Sequence, residues 1–365
     1  MLIAAASGRA LAASARRGGY APLVADFFGD QDTAALAHAH IRLDQGLARG
    51  MSGVLAALES LATQQEPAGI VCGTGFEDRP ALLGDIAQRW TLFGNSPDIV
   101  ARVKDPLVFA QLCRNCAIPH PDTTLVQPLD PTGWLVKRPG GAGGRHIQTA
   151  RDANRARADV YFQRYIDGVP VSALVLADGR SAMVLGFSTQ WASPTPEQPF
   201  RYGGAVQPAS LAAGTERGMT EAVRRLTATV PLVGLNSVDF LVCGHDFQLL
   251  EVNPRPGATL DIFEPDAGSI FAMHIAASQG TLPAERPVFA QARASAIVYA
   301  PRDMPALAAL DWPEWTADRP GIGTRFKAGD PVCTVLAHAA TAAGARELAQ
   351  ERLKHVLAST GMDKP

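Results

Sequence analysis

The sequence predicts an α/β protein, α+β in part, with a parallel sheet first and antiparallel strands after it. Over about the first hundred residues, short apolar segments alternate with helical ones. From residue 134 onward, segments such as "WLVKRPGGAGGRHIQ" are rich in β-branched and aromatic residues and are interrupted by glycines. The first pattern is typical of βαβ units and the second of antiparallel hairpins. A chain of 365 residues accommodates about two or three domains of this kind.

The N-terminal part predicts four parallel strands. They are residues 2–6 and the segments "APLVADFF", "GIVCGT" and "TLFGN". Helical patterns separate them, including residues 8–17 and 52–63. A Rossmann dinucleotide site, with Asp26 as the ribose-binding acid, is the alternative for this region. It is disfavoured because the first turn, "AAASGRA", holds only Gly8 where G-x-G-x-x-G needs three glycines.

Helix signals then mark the middle of the chain. Ser96 is a candidate N-cap with Pro97 at the first helical position, and Asp105-Pro106 begins a second helix. The segments "VYFQRYIDG" and "VSALVLADGRSAMVLGFSTQ" are predicted to join residues 134–148 in one small antiparallel sheet. After a helix at 215–229, the strands "LNSVDFLV" and "DFQLLEVNP" are predicted to pair around Gly244.

Composition excludes several classes of partner. The formal net charge of −2 gives no electrostatic attraction for nucleic acid or an anionic membrane. No apolar run approaches the roughly 20 residues of a membrane-spanning helix. The apolar N-terminus lacks the basic segment of a signal peptide. The five cysteines are scattered, and the lone CxxC at 113–116 lies in a helical pattern, so we expect a reducing, cytoplasmic location.

A glycine-rich segment predicts a phosphate-binding loop. A strand delivers Lys137, and glycines follow at positions 140, 141, 143 and 144, namely Gly140, Gly141, Gly143 and Gly144. Glycines permit backbone N–H groups to line a concave nest for phosphate oxygens, and the lysine adds a cation. The segment is not a Walker A loop, since it lacks GK[ST] and leads into a strand. A plain hairpin with a flexible tip is the alternative.

Three oxygen-bearing side chains predict a metal site. Asp239 lies on one strand, and Glu251 and Asn253 are two apart on the next, so their side chains share a face. If the two strands pair, the three side chains converge. Such hard oxygen ligands suit Mg²⁺ that also bridges nucleotide phosphates. The alternative is a solvated acidic hairpin.

Three further positions are less specific. Arg255 is placed to bind a phosphoryl group or carboxylate through its planar guanidinium, or is a surface arginine in a turn. The segment 162–167 offers backbone groups and the amide of Gln163 to an adenine edge, although any strand end has such groups. Lys104, before a helix start, is on local grounds a solvated lysine.

Together and in this order, these segments resemble the ATP-grasp superfamily. "VKDPLVFAQLCRNCAIPHPDT" is similar to its lysine, helix and "GIPxPxT", and "WLVKRPGGAGGRHI" to "VVKPxxGxGGxGI". "FQRYIDGVPVSALVL" is similar to its hinge strand, and "VDFLV…FQLLEVNPRPGATLDIF" to its metal-binding "D…E-x-N-x-R". The resemblance covers roughly residues 98–285. It extends to the predicted carboligase branch related to biotin carboxylase, with members encoded beside tetrahydromethanopterin and methanofuran C1 genes.

The resemblance implies an ATP-grasp fold with an N-terminal Rossmann-like pre-ATP-grasp domain at 1–97. The ATP-grasp domain would span 98–285, with a lid at about 120–185 and a metal-binding part at about 186–285. Residues 286–365 would be a C-terminal segment packing on that domain.

The resemblance also implies roles for individual residues. Lys104, Lys137 and the glycine-rich loop would bind ATP, with Gln163, Tyr165 and Ile166 beside adenine. Pro170 replaces the ribose-binding acid of some ligases, and Ser172 is a substitute for it. The metal ligands would be Asp239, Glu251 and Asn253, with Arg255 stabilising the transferred phosphoryl group.

The implied reaction is the ligation of a carboxylate to an amine. A small-molecule acid would be activated by ATP as an acyl phosphate, with Mg²⁺ or alternatively Mn²⁺, and an amine would capture it. The product would belong to C1 cofactor biosynthesis, and the family suggests a homodimer. Two alternatives stay open: a carboxylase similar to biotin carboxylase, and a regulatory protein that binds ATP without catalysis.

Overall fold

The structure is a computed structural model that describes residues 1–43, 51–151, 159–304 and 306–361. The described strands form three sheets of five, eight and four strands. Residues 152–158 of the predicted lid lie outside the described residues.

The N-terminal sheet is parallel throughout, with the strand order β3–β2–β1–β4–β5. Its elements are β1 (Leu2–Ala5), α1 (Arg9–Arg17), β2 (Leu23–Asp26), α2 (Gln31–Leu36), β3 (Ala39–Arg42), α3 (Met51–Gln64), β4 (Ile70–Cys72), α4 (Pro80–Arg89) and β5 (Leu92–Phe93). The four predicted parallel strands are confirmed. The sequence missed β3, a four-residue edge strand that pairs only with β2 and whose residues are half-buried or exposed, so it lacks a continuous apolar run.

Two short helices connect this sheet to the rest of the chain: α5 (Pro97–Lys104) and α6 (Pro106–Asn115). The predicted N-cap at Ser96 and the predicted helix start at Asp105-Pro106 are both confirmed. The Ser96 side chain accepts a hydrogen bond from the Ile99 N–H, and Asp105 accepts from the N–H groups of Leu107 and Val108. Lys104 is thereby fixed in the last turn of α5, immediately before the second cap.

The four-stranded sheet is small and antiparallel, with the order β6–β9–β7–β8. Its strands are β6 (Thr123–Thr124), β7 (Trp134–Lys137), β8 (Gln148–Thr149) and β9 (Tyr161–Arg164). Val136, Ala150 and Phe162 form its buried core. The glycine-rich loop connects β7 to β8, and this sheet therefore carries the loop.

The eight-stranded sheet has the order β14–β13–β10–β11–β12–β15–β17–β16. Its strands and flanking helices are β10 (Val169–Asp178), β11 (Ala182–Ala192), β12 (Tyr202–Gln207), α7 (Ala213–Thr229), β13 (Val233–Cys243), β14 (Asp246–Asn253), α8 (Leu260–Phe263), α9 (Ile270–Ser278), β15 (Ala292–Tyr299), β16 (Thr316–Ala317), β17 (Pro331–Ala339) and α10 (Ala342–Ser359). The prediction that β10 and β11 join β7 and β9 is wrong. Residues 171–177 of β10 are buried without a break, and β10 pairs with β11 and β13 in the interior of the large sheet.

The C-terminal segment is continuous with this sheet. β15 pairs with both β12 and β17, and α10 packs against β15 and β17. Residues after 286 therefore extend the sheet that holds β13 and β14. None of the described helices is long and apolar enough to cross a membrane.

A buried arginine joins three parts of the chain. Arg9 in α1 forms ion pairs with Asp261 of α8 (Nη1–Oδ1, 2.5 Å) and with Asp318 after β16 (Nε–Oδ1, 3.1 Å). Its guanidinium is almost fully buried, and four of its hydrogen bonds go to these two carboxylates. Because a buried charge is tolerated only when it is paired, this contact fixes the N-terminal sheet against the rest of the chain.

A further carboxyl group near this cluster, that of Asp30, is buried without a full set of hydrogen-bond partners in the described part of the chain. Asp30 is 5% exposed, and its Oδ2 atom has no hydrogen-bond partner among the described residues. Burial, followed by the charges of Asp318, Asp26 and Asp32, raises the pKa of Asp30 to about 8. The folded protein therefore retains a proton that the unfolded chain releases above its ordinary pKa near 4.

We expect Asp30→Asn to make the protein more stable than the wild type at alkaline pH. Because folding raises the pKa of Asp30, its contribution to stability is most favourable below about pH 4 and is lost as the pH rises to about 8. Relative to the wild type, the variant should gain up to about 5 kcal/mol between pH 4 and pH 8, because a shift of about four pKa units is worth about 1.4 kcal/mol per unit. The measurement is Tm against pH.

The matched control is Asp178→Asn. Backbone N–H donors from Ser181 and Arg180 lower the pKa of this carboxyl, so the sign reverses. The variant loses stability relative to the wild type as the pH rises from that lowered pKa to the ordinary value of about 4, and the difference is constant above it. A Tm difference between Asp30→Asn and wild type that does not change with pH would contradict the assignment.

Candidate functional site

Three side chains form a row across the large sheet. Ser172 on β10 lies opposite Asp239 on β13, and Asp239 lies opposite Glu251 on β14. The Ser172 hydroxyl donates a hydrogen bond of 2.6 Å to Oδ1 of Asp239. Since directly paired residues point to the same face of a sheet, the strand register alone brings these groups together.

Asn253 completes this cluster from the end of β14. Its Nδ2 donates to Oδ2 of Asp239 at 2.8 Å and to Oε1 of Glu251 at 3.3 Å. The alternating residues Val238 and Val252 are fully buried and hold the two strands in register. The three side chains predicted to converge thus do so, with Asp239 and Glu251 each within hydrogen-bond distance of Asn253.

Lys104 reaches the same cluster from α5. Its Nζ donates to Oδ1 of Asn253 at 2.7 Å and lies 3.3 Å from Oε2 of Glu251. The Lys104 side chain is only 7% exposed. The local prediction of a solvated lysine is therefore wrong, because the end of α5 is packed against β14.

The two carboxylates differ in electrostatic character. Burial, and then the charge of Glu251, raises the pKa of Asp239. Burial acts in the same direction on Glu251, but the cations Lys104 and Lys137 outweigh it and lower its pKa. The charged form of Glu251 is thus stabilised by two lysines, whereas the charged form of Asp239 is disfavoured by burial and by its carboxylate neighbour.

Lys137 and Gln163 form a buried pair in the four-stranded sheet. The Lys137 Nζ donates to Oε1 of Gln163 at 2.6 Å, and Gln163 Nε2 donates to Oγ1 of Thr123 at 3.3 Å. Burial lowers the pKa of Lys137, opposed by Glu251 and then Asp239. The amide of Gln163, suggested by the sequence for adenine, thus holds the lysine in place.

A cleft opens beside this pair, between the four-stranded sheet, α5, α6 and β14. It is lined by Val103, Lys104, Pro106, Phe109, His120, Thr123, Arg138, Pro139, Gly140, Tyr161, Gln163, Leu250 and Glu251. Because its lining combines aromatic rings with charged groups, the cleft suits a ligand with an aromatic part and an anionic part. Tyr165 and Ile166, predicted beside adenine, are not among these lining residues.

The sequence missed three aromatic residues of this cleft. Phe109, His120 and Tyr161 lie on α6, in the following loop and on β9. His120 is held by the Leu249 carbonyl, 2.7 Å from its Nδ1. Its only sequence signal is its position inside "AIPHPDT", the segment similar to "GIPxPxT".

The glycine-rich loop lines the cleft at Gly140 and packs closely against two other parts of the chain. Gly140 has φ of 69°, and a Cβ there would lie 2.8 Å from Asp78 of the N-terminal part. Gly144 has φ of 70°, and a Cβ there would lie 1.9 Å from the Phe200 carbonyl oxygen. Both positions therefore require glycine, for conformation and for space.

Arg255 has a partner that the sequence analysis missed. Its Nε donates to Oε1 of Glu77 at 2.5 Å, and Glu77 Oε2 accepts from the N–H groups of Gly75 and Phe76. Burial would raise the pKa of Glu77, but Arg255 and then Lys104 lower it. Glu77 follows β4, so the N-terminal sheet orients an arginine of the larger sheet.

The oxygen atoms of this cluster fit a hard divalent cation. No group of three or more His, Cys, Asp or Glu residues within the described ranges gathers to hold a metal. The candidate set is instead two carboxylates, Asp239 and Glu251, and the Oδ1 atom of Asn253. This small number of protein ligands is sufficient for Mg²⁺, because the ion usually keeps several waters and also binds substrate phosphates.

We expect Glu77→Gln to destabilise the protein by about 3 kcal/mol, because it leaves the Arg255 guanidinium without its carboxylate in a buried site. The measurement is urea unfolding at pH 7. Glu59→Gln is the control, since Glu59 pairs with Arg89 at the surface and should cost less than about 1 kcal/mol. Equal midpoints for the two variants would contradict the structural role of Glu77.

The chain is similar to a known family model, to curated proteins and to solved structures. Residues 104–259 match the family model of the ATP-grasp domain. The large chain of carbamoyl phosphate synthase from Thermus thermophilus is 22% identical over 229 residues. That match covers 55% of this chain and 22% of the relative, so the chain spans about a fifth of the length of the curated relatives it matches.

Two solved structures resemble almost the whole chain. Biotin carboxylase from Campylobacter jejuni, in a β,γ-ATP complex, gives a TM-score of 0.73 at 16% identity, covering 96% of this chain and 90% of that one. The biotin carboxylase domain of Hydrogenobacter thermophilus 2-oxoglutarate carboxylase gives 0.74 at 13% identity, covering 98% and 89%. The chain therefore has the mixed α/β ATP-grasp fold, with an ATP-grasp domain at residues 104–259.

Proposed function

We propose that this protein is an ATP-grasp ligase that activates a carboxylate as an acyl phosphate and transfers the acyl group to an amine. The observation that carries this proposal is the cluster of Asp239, Glu251 and Asn253 with Lys104 at its edge. It combines oxygen ligands for a cation with a cation for phosphate oxygens. Phosphoryl transfer requires mainly such positioning and charge neutralisation.

Each residue of the site has a separate task in this proposal. Asp239, Glu251 and Asn253 hold Mg²⁺, or Mn²⁺ in its place. When bound, the ion would supply positive charge beside the phosphate oxygens. Lys137 and the glycine-rich loop, Gly140, Gly141, Gly143 and Gly144, bind the phosphate chain.

The remaining groups orient substrates and exclude water. Gln163, Tyr165 and Ile166 form the segment proposed to lie beside adenine, and Ser172 is the proposed ribose contact. Arg255, held through Nε by Glu77, keeps its two terminal nitrogens for the substrate carboxylate or the acyl phosphate. The packed loop shields this intermediate from hydrolysis.

The names of the similar proteins support a ligase. One group comprises carbamoyl phosphate synthase large chains and the other biotin carboxylases, one of them in complex with MgADP and bicarbonate. Because identity is 22% or less in these comparisons, the acid and the amine are part of the proposal.

A second candidate function is ATP-dependent carboxylation. It is favoured by the extent of the likeness to biotin carboxylases, which covers 96–98% of this chain. No biotin-carrier lysine motif is visible in the sequence, so biotin would be supplied by a partner. ATP hydrolysis stimulated by bicarbonate alone would favour this function over ligation.

Three finer features belong to the same proposal. The resemblance to proteins encoded beside C1 cofactor genes suggests a substrate in tetrahydromethanopterin or methanofuran biosynthesis. The family suggests a homodimer. The five cysteines are free thiols, which suits the reducing cytoplasm.

The experiment that tests the function is ADP release from Mg·ATP with a panel of small acids, amines, bicarbonate and pterin or furan precursors. Ligation requires both an acid and an amine, and a product mass equal to their sum less water. ATP binding without ADP release in any mixture would instead favour a regulatory protein.

We expect Lys137→Ala and Glu251→Ala each to lower kcat by at least about 100-fold while the protein stays folded, because each removes a charge that phosphoryl transfer requires. The measurements are ADP release and far-UV circular dichroism. Lys354→Ala and Glu351→Ala are matched controls on the exposed face of α10 and should retain wild-type turnover. Wild-type rates in either site variant would overturn the assignment of that residue.

A further inference from the structure

The glycine-rich loop contains one imidazole that the proposed mechanism does not use. His146 lies between Gly144 and β8, where the similar pattern "VVKPxxGxGGxGI" has glycine. Its Nδ1 atom is buried and has no hydrogen-bond partner within the described part of the chain. Since buried polar atoms in native proteins are nearly always hydrogen-bonded, this nitrogen requires an explanation.

The position of the ring is fixed by close packing within the loop. The imidazole lies against Gly141, where a Cβ would come within 2.3 Å of the His146 Cγ and 2.5 Å of its Nδ1. Any other residue at 141 would displace the ring. The presence of glycine at 141 is therefore explained by the imidazole as well as by a phosphate nest.

The loop is anchored immediately before the imidazole. The Gly143 carbonyl accepts a hydrogen bond of 2.9 Å from the Tyr202 N–H. The Arg145 guanidinium donates to the Gly329 carbonyl at 2.6 Å and lies 5.7 Å from the centre of the Tyr299 ring. These contacts hold the loop segment that carries His146 against β12, β15 and the turn before β17.

The charges around His146 are those of the proposed nucleotide site. Burial lowers the pKa of its imidazole to about 4, opposed by Glu251 and assisted by Lys137, then Arg138 and Lys104. At neutral pH the ring is uncharged and carries a single N–H. The neutral ring can donate one hydrogen bond to a phosphate oxygen while the neighbouring lysines supply the positive charge.

We propose that His146 binds the phosphate chain of ATP through a hydrogen bond from Nδ1–H to a phosphate oxygen. This inference rests on the proposed function, because it requires Mg·ATP in the cleft beside Lys137 and Glu251. The hydrogen bond satisfies a buried donor that is otherwise unpartnered, a group that costs about 1–3 kcal/mol when left so. His146 is then a nucleotide-binding residue specific to this loop.

The test compares three substitutions by calorimetric titration with Mg·ATP and with adenosine. In His146→Asn the side-chain amide nitrogen occupies the place of Nδ1, whereas in His146→Gln it occupies the place of Nε2. We expect His146→Ala and His146→Gln to raise the Kd of Mg·ATP about tenfold. His146→Asn should stay within about threefold of wild type, and adenosine affinity should be unchanged in all three.

A measurement on the wild-type protein is independent of how the variants fold. With ¹⁵N-labelled histidine, the Nδ1 resonance of His146, assigned by its loss in His146→Asn, should shift on addition of Mg·ATP and not of adenosine. An unchanged resonance, or equal Mg·ATP affinity in wild type and His146→Ala, would overturn the inference. Absence of Mg·ATP binding to the wild type would overturn the proposed function itself.

Discussion

The pairing of β13 with β10 on one side and β14 on the other is the constraint on which the site depends. It places Ser172, Asp239 and Glu251 in one row and brings Asn253 to the end of that row. A shift of one residue in either ladder would turn the affected side chains to the opposite face. The fully buried apolar residues that alternate with them, such as Val238, resist such a shift because it would expose them.

The rest of the structure neutralises and orients this concentrated charge. Lys104 approaches Glu251 from α5, and Lys137 acts on it from the small sheet, so both cations offset the cost of burying the carboxylates. Arg255 stands apart from them because its charge is already balanced by Glu77. The site thus keeps two lysines for an anionic ligand and one arginine in a fixed orientation.

Three ion pairs connect the N-terminal sheet to the rest of the chain, and one of them reaches the site. Arg9 links this sheet to Asp261 and Asp318, and Glu77 links it to Arg255. Because these charges are buried, separating the sheet from the rest of the chain would leave them unpaired at a high cost in free energy. The orientation of Arg255 therefore depends on how the N-terminal sheet is docked.

The sequence by itself determined the local features: the parallel strands, both helix caps, the glycine-rich loop after Lys137 and the shared face of Glu251 and Asn253. Each of these depends on residues close together in the chain, where periodicity and turn chemistry are visible. Only the tertiary structure decided the rest. The bonds from Lys104 to Glu251 and from Arg255 to Glu77 join residues 147 and 178 positions apart, and no local pattern specifies them. The joining of β10 to the larger sheet likewise followed from its burial between two partner strands, because a run of apolar residues does not specify which strands cover it.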